Sequence, residues 1–341
     1  MDLKKSLGLG FAVAFLLGVL FLHSYLVHLT NPRSSNVTDR YPQVTSQGTG
    51  TTSGTGSKDV LNLSNLGGTF TVIGRYQSDS KYALAEVYTP NGSLFLSPFL
   101  WNLKVAKGDA NLTYVGSSLE VWVNFTDFKK VSPSIPVDGY PGVMYGQELW
   151  FPFAGKSLTS SSLPLPMALG ELPNFSSTLS YSVLDRWGVV DDFSYDVWLT
   201  TDPNATYLQY PDVEVMVWLY HNETPSKYFL YVGNVTERLV VNDTVLEENF
   251  SVYVLPHTGS ANGWIGVYFL SQDQLEGNVT VPLSSMIVGS FPFIHKVFQK
   301  VNASDYYLDA VQVGMEFNDV DGDVSLGYVL HSWTIELQNE S

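Results

Sequence analysis

Three short stretches carry residues able to do chemistry, and each sets a carboxylate among aromatic or amide side chains on one face of an extended chain. Read with the two-residue period of a strand, residues 212–220 split into two rows. Val213, Val215, Val217 and Leu219 form an aliphatic row that demands burial, while Glu214, Met216, Trp218 and Tyr220 form the other. In residues 194–200, Asp196 and Trp198 share a face, opposite Tyr195, Val197 and Leu199. In residues 311–317, Val311, Val313, Met315 and Phe317 make the apolar row and leave Gln312, Gly314 and Glu316 opposite. A solvent-facing row is ordinarily Thr, Lys or Ser, whereas indoles in file with an acid suit a sugar. Pyranose faces stack on indole, and a carboxylate beside them can attack an anomeric carbon. One such strand is ordinary, because glutamates are mostly exposed anyway. Three of them point to a lined groove.

Composition narrows the partners. The chain has 341 residues, 15% of them charged and 14% aromatic, with a formal net charge of -16. An acidic balance excludes nucleic acid, which needs a basic footprint, and it disfavours polyanionic substrates. A neutral polymer remains open. The absence of cysteine removes disulfides, thiolate zinc sites and cysteine nucleophiles. The histidines are scattered, with no His-Glu-x-x-His pair, and neither a Gly-rich phosphate loop nor a Gly-x-Ser-x-Gly elbow occurs. Asp319-Val320-Asp321-Gly322-Asp323 lacks the spacing of an EF-hand loop and reads as an acidic β-turn. No metal and no cofactor are expected.

The acid-bearing strands must be positioned by something, and the chain order supplies it. Lys4-Lys5 precede a nearly pure apolar run from Leu7 to Leu22, and counting on to Val27 gives about the 20 residues that span a bilayer. No small-x-small cleavage site follows. Residues 1–30 therefore read as a signal peptide or membrane anchor, with an uncleaved anchor at 7–27 favoured, and the remainder lies outside the cell, secreted or tethered. Of 19 asparagines, 14 begin Asn-X-Ser/Thr, a density that fits selection for N-glycosylation. Low charge, no cysteine and dense sequons suggest a hot or acidic exterior. Residues 31–58 are a Ser/Thr/Gly-rich linker. From 59 to 341 short apolar runs alternate with Gly, Pro and Asn punctuation, the rhythm of one antiparallel sandwich or barrel. Expected strands include 69–76, 82–88, 94–104, 112–115, 119–125, 146–153, 178–183, 193–200, 213–220, 228–232, 237–241, 250–255, 263–272, 306–317 and 326–337. Residues 283–300 carry apolar residues at helical spacing, and Pro292 should kink or restart that helix. Trp122, Trp150, Trp187 and Trp264 could be subsites or core, with core the default reading.

The chain also resembles the family 12 glycoside hydrolases, β-jelly-roll endoglucanases. The likeness is carried by Tyr195-Asp196-Val197-Trp198-Leu199-Thr200 with Asp202-Pro203-Asn204, by Asp212 to Leu219, by Tyr140-Pro141-Gly142-Val143-Met144-Tyr145-Gly146, and by Gly314-Met315-Glu316 before Ser332-Trp333-Thr334. It implies an all-β, two-sheet jelly roll with a concave substrate groove and one late helix. It implies Glu214 as nucleophile, Glu316 as general acid/base, and Asp196 as the partner that hydrogen-bonds and tunes the nucleophile. Met216, Trp218, Trp198 and Tyr140 would line the substrate path, and Trp101 would stack a sugar on the glycone side. Phe99 replaces a family Asn, and Phe317-Asn318-Asp319 replaces a family Pro-Phe. The implied activity is a retaining endo-β-1,4-glucanase on a β-1,4-linked polysaccharide, acting as a monomer. Rival readings are a xylanase or xyloglucanase on the same fold, a non-catalytic carbohydrate-binding jelly roll, or a structural cell-surface glycoprotein. Retaining hydrolysis needs two carboxyls about 5–5.5 Å apart, and acids on facing strands of one sheet suit that need.

Overall fold

A computed structural model describes residues 58–63, 70–75, 87–89, 92–150, 153–222, 228–255 and 263–338. The expected membrane segment and nearly all of the linker lie outside these residues. Among the described residues the alternation of branched and aromatic residues produces eighteen strands in two layers. The first layer runs β2 (Phe70–Arg75), β5 (Leu103–Val115), β6 (Ser118–Lys130), β18 (Val324–Leu337), β10 (Phe175–Trp187) and β16 (Gly277–Val281), with β1 (Lys58–Asn62) beside the end of β18. The second runs β3 (Val87–Tyr88), β4 (Phe95–Ser97), β7 (Gly142–Gln147), β17 (Tyr307–Asn318), β11 (Val189–Thr200), β12 (Val213–His221), β15 (Ile265–Ser271), β14 (Thr244–Leu255) and β13 (Leu230–Val241). Short β8 (Ser157–Leu158) and β9 (Met167–Ala168) lengthen it beside β7 and β17. The layers join where Val240 and Val241 of β13 pair with β16. Among these pairings β12 with β15 is the parallel one.

The aliphatic rows meet between the layers. Val215, Val217, Val197, Leu199, Val311 and Val313 are fully buried there against Leu112, Val121, Leu179 and Leu326. Large aromatics in this core keep their polar ends satisfied, as buried Tyr and Trp must. Tyr195 Oη and Trp333 Nε1 each donate to Ser177 Oγ at 3.0 Å, and Tyr181 stacks on Phe193 with centroids 4.0 Å apart.

The expected helix is present in two pieces, α1 (Leu283–Gly289) and α2 (Phe291–Ile294). Pro292, in the first turn of α2, restarts the helix, since its ring cannot continue the hydrogen-bond ladder. Leu283, Met286 and Ile287 face inward and seat α1 on β10, where Phe175 N–H donates to Ser284 Oγ. Four expected strands are redrawn. The segment at 94–104 is broken by a turn in which Phe99 has φ +36. The segment at 146–153 gives way to β7, because Glu148 and Lys156 close a loop through Glu148 N–H to Lys156 O and Gly155 N–H to Glu148 O. The two segments at 228–241 merge into the single long β13.

Candidate active site

The centre of the second layer is β11, flanked by β12 and β17. In its register Trp198 lies opposite Glu214 and Ala310, Asp196 opposite Met216 and Gln312, and Asp192 opposite His221 and Glu316. With Tyr195, Val197, Val215 and Val313 committed to the core, strand alternation turns Asp192, Asp196, Glu214 and Glu316 to the other, open face. The two-row reading therefore holds for all three stretches except at Tyr220, which a bulge opposite Phe193 and Ser194 turns to pack against the core instead of following Glu214, Met216 and Trp218.

Glu214 is held by β15. Tyr268 Oη donates to its Oε2 at 2.6 Å, and Trp264 Nε1 donates to the same oxygen at 3.0 Å. Oε1 accepts from no described residue. Tyr268 sits opposite Met216, one step along from Glu214, so its ring must fold back along its own strand to reach Oε2. Gly266 is the notch that allows it: a Cβ there would stand 2.5 Å from Tyr268 Cε2 and 2.6 Å from its Oη. Burial raises the pKa of Glu214 above its ordinary value, and hydrogen bonds from Tyr268 and Trp264 offset part of that rise. Charge-assisted bonds of this kind stabilise the ionised form.

Glu316 has a different environment. Burial, then the Asp192 carboxyl and then the Glu214 charge push its pKa well above the ordinary range, and Asp192 is paired directly opposite it across β11 and β17. Two neighbouring carboxyls hold a proton more tightly than one alone. Asp192 is wholly buried, which drives its own pKa up to about 7. Asp196 is also pushed well above its usual range, by burial first and then by the charges of Glu214 and Glu316. No hydrogen bond joins Asp196 to Glu214; the donors to Glu214 are Tyr268 and Trp264, and the Glu214 charge in turn raises the pKa of Asp196. The result is one carboxyl cluster in which Glu214 is the member whose carboxylate accepts from two donors, while burial and neighbouring carboxyls favour the protonated forms of Glu316 and Asp196.

Aromatics flank these acids. Trp198, Trp150 and Trp264 meet edge to face, with centroids 5.9, 6.1 and 5.5 Å apart. Along the same face Trp218 meets Tyr268 edge-on at 6.1 Å, beside Met216. Tyr140 is almost buried, its ring lying where a Cβ on Gly314 would come within 2.7 Å, and its hydroxyl donates to Ser194 O at 2.9 Å. Next to it a hollow is lined by Phe95, Phe99, Tyr140, Met144, Trp150 and Gln312. Trp101 sits in the turn before β5 and belongs neither to this lining nor to the aromatic clusters; Phe99, 5.8 Å from the Trp150 ring, stands at the hollow instead. Trp187, expected in the core, is 54% exposed, and Trp122 carries the Arg186 guanidinium 4.5 Å above its ring.

The segment after Glu316 is fastened by Lys130. Its Nζ meets Asp138 Oδ1 at 2.9 Å, Asp319 Oδ1 at 3.4 Å and Asn318 Oδ1 at 2.5 Å, while Asp138 N–H donates to Phe317 O. The acidic run 319–323 forms the expected turn, with Gly322 N–H on Asp319 Oδ2 and Val320 bridged to Asp323.

Asp192 and Tyr268 were not singled out in the sequence, and Trp264, read there by default as core, instead donates to Glu214, although a signal existed. Asp192 is in phase with Asp196, and Trp264, Gly266 and Tyr268 alternate with Ile265, Val267 and Phe269. What period two cannot supply is that β15 lies beside β12.

A two-layer β-sandwich with buried carboxyls and indoles on one open face is the build of a carbohydrate-cleaving protein. The sequence profile of glycosyl hydrolase family 12 matches residues 100–338, and the chain belongs to that family. It is a glycoside hydrolase. Similar solved structures include a family 12 xyloglucanase from Bacillus licheniformis, at 17% identity and a TM-score of 0.55 over 80% of this chain and 100% of that one. An endoglucanase from Rhodothermus marinus gives 16% identity and 0.53 over 79% and 99%. Endoglucanase 3 from Trichoderma harzianum gives 18% and 0.51 over 79% and 98%. At these identities the likeness is one of fold. No curated protein matches the sequence directly.

Proposed function

We propose that the protein is a retaining endo-β-1,4-glucanase that cuts internal bonds of cellulose-type glucans outside the cell. Glu214 is the nucleophile. With Oε2 engaged by Tyr268 and Trp264, Oε1 attacks the anomeric carbon as the glycosidic C–O bond breaks, forming a glycosyl ester. Glu316 gives its proton to the departing oxygen, then takes one from the water that attacks the ester and frees Glu214. Asp196, protonated beside both glutamates, tempers the negative charge of the cluster. Met216, Trp218, Trp198 and the floor under Tyr140 line the path, and Trp101 stands outside it in this reading.

The observation that carries the proposal is the difference between the two glutamates: one oxygen of Glu214 accepts from two donors, whereas Glu316 lies opposite the Asp192 carboxyl, which favours its protonated form. Pairs of carboxyls with opposed protonation are how glycosidases divide these roles. Reducing-sugar release from a panel of cellulose derivatives, mixed-linkage glucan, xyloglucan and xylan tests the substrate, and NMR of the first anomer released tests the stereochemistry. Retention is expected, with β-1,4-glucan preferred; inversion would remove Glu214 as nucleophile. Glu214→Gln and Glu316→Gln should each lower kcat by about a hundred- to ten-thousandfold while thermal midpoints stay close to wild type. Wild-type turnover in either variant rules that residue out.

A further inference from the structure

The open face of the second layer does not stop at the carboxyls. One transverse row runs Asp196, Met216, Tyr268, Tyr253 and Tyr231 across β11, β12, β15, β14 and β13, each residue directly paired with the next. Because Phe250, Val252 and Val254 of β14 enter the core, Tyr253 faces the same side as Tyr268, and Tyr231 faces with it. Strands lie about 4.8 Å apart, so Tyr253 stands roughly 10 Å and Tyr231 roughly 14 Å beyond Met216. Their rings meet edge to face with centroids 5.5 Å apart, and Tyr231 is 57% exposed. Tyr231 Oη donates to Asn234 Oδ1 at 2.9 Å, which fixes the ring on a strand rather than leaving it on a loose tip. A single exposed aromatic needs no explanation. A pair continuous with an aromatic row that leads to the acids marks a binding surface.

Building on the reading of the site as a glucanase, we propose that Tyr231 and Tyr253 form a distal sugar platform that grips the same β-glucan chain several rings away from the scissile bond. Each ring offers a flat apolar face for a pyranose, and the phenol hydroxyls and Asn234 offer hydrogen bonds at its edge. The platform raises the efficiency of the enzyme on long chains relative to short ones.

The test uses Tyr231→Ala, Tyr253→Ala and the double variant, with Tyr231→Phe as the conservative control. The ratio of kcat/KM on soluble β-glucan polymer to that on cellotetraose should fall by about three- to tenfold for each alanine and recover in the phenylalanine variant. The same substitutions placed in the Glu214→Gln background should weaken retardation in gels containing β-glucan. Equal losses on polymer and tetramer, or unchanged retardation, would overturn the platform. If the tyrosines instead carry a glycan attached at Asn234, glucan retardation stays unchanged and only the thermal midpoint of the glycosylated protein drops, and the proposal fails. Should the wild type cleave no glucan, the glucanase reading falls, yet the gel comparison still decides whether the platform binds glucan; a chain retarded by no glucan sinks both.

Discussion

At the scale of single residues, the site is set by what touches each carboxyl oxygen. Tyr268 and Trp264 both bind Oε2 of Glu214, and a hydrogen bond to a charged group contributes about 1.5–3 kcal/mol. Tyr268→Phe should therefore cost about ten- to a hundredfold in kcat/KM, with steady-state kinetics as the measure. Asp192 works on the other glutamate. Glu316 must be protonated to act, so activity falls as pH rises through its pKa, which burial and Asp192 hold high. Asp192→Asn removes that neighbouring charge and lowers the proton affinity of Glu316. The alkaline limb of the kcat/KM profile should move to lower pH, and a limb that stays in place would separate Asp192 from the acid.

At the scale of elements, two contacts aim these strands. Gly266 lets the Tyr268 ring lie along β15, and Gly266→Ala would drive a methyl into it. That variant should reproduce the kinetic loss of Tyr268→Phe although it touches no carboxyl; near-wild-type kinetics would show that the notch is dispensable. Lys130 binds Asp138, Asn318 and Asp319 together, and the Asp138 side chain is fully buried. Removing one partner of a buried pair costs about 3–5 kcal/mol, so Lys130→Met should lower the urea midpoint by a corresponding amount. Loss of activity should accompany it, because Asp138 also binds the backbone of Phe317, the residue after Glu316.

At the scale of the whole molecule, the chain buries an unusual set of acids with few cations to meet them. Burial raises Asp138, Asp192 and Asp309 to about 7 and Asp212 to about 6, against about 4 in an unfolded chain. A carboxyl whose folded pKa is raised stabilises the fold fully below its unfolded value and loses that contribution as pH rises through the folded one. The thermal midpoint should thus be highest near pH 4 and decline toward pH 7, as scanning calorimetry at fixed ionic strength would measure; a rise over that window would contradict it. The amino-acid sequence by itself determined which face each strand shows, because alternation is a property of neighbouring residues: Glu214, Asp196 and Glu316 on one side, the valines on the other. It also determined the restart at Pro292 and the acidic turn at 319–323. Only the tertiary structure decided that β15 runs parallel beside β12, that Tyr268 reaches Glu214 over Gly266, that Asp192 meets Glu316, and that Phe99 rather than Trp101 stands at the hollow. Those are contacts between strands distant in the chain, fixed by pairing and packing in the folded sheet, and no local period encodes them.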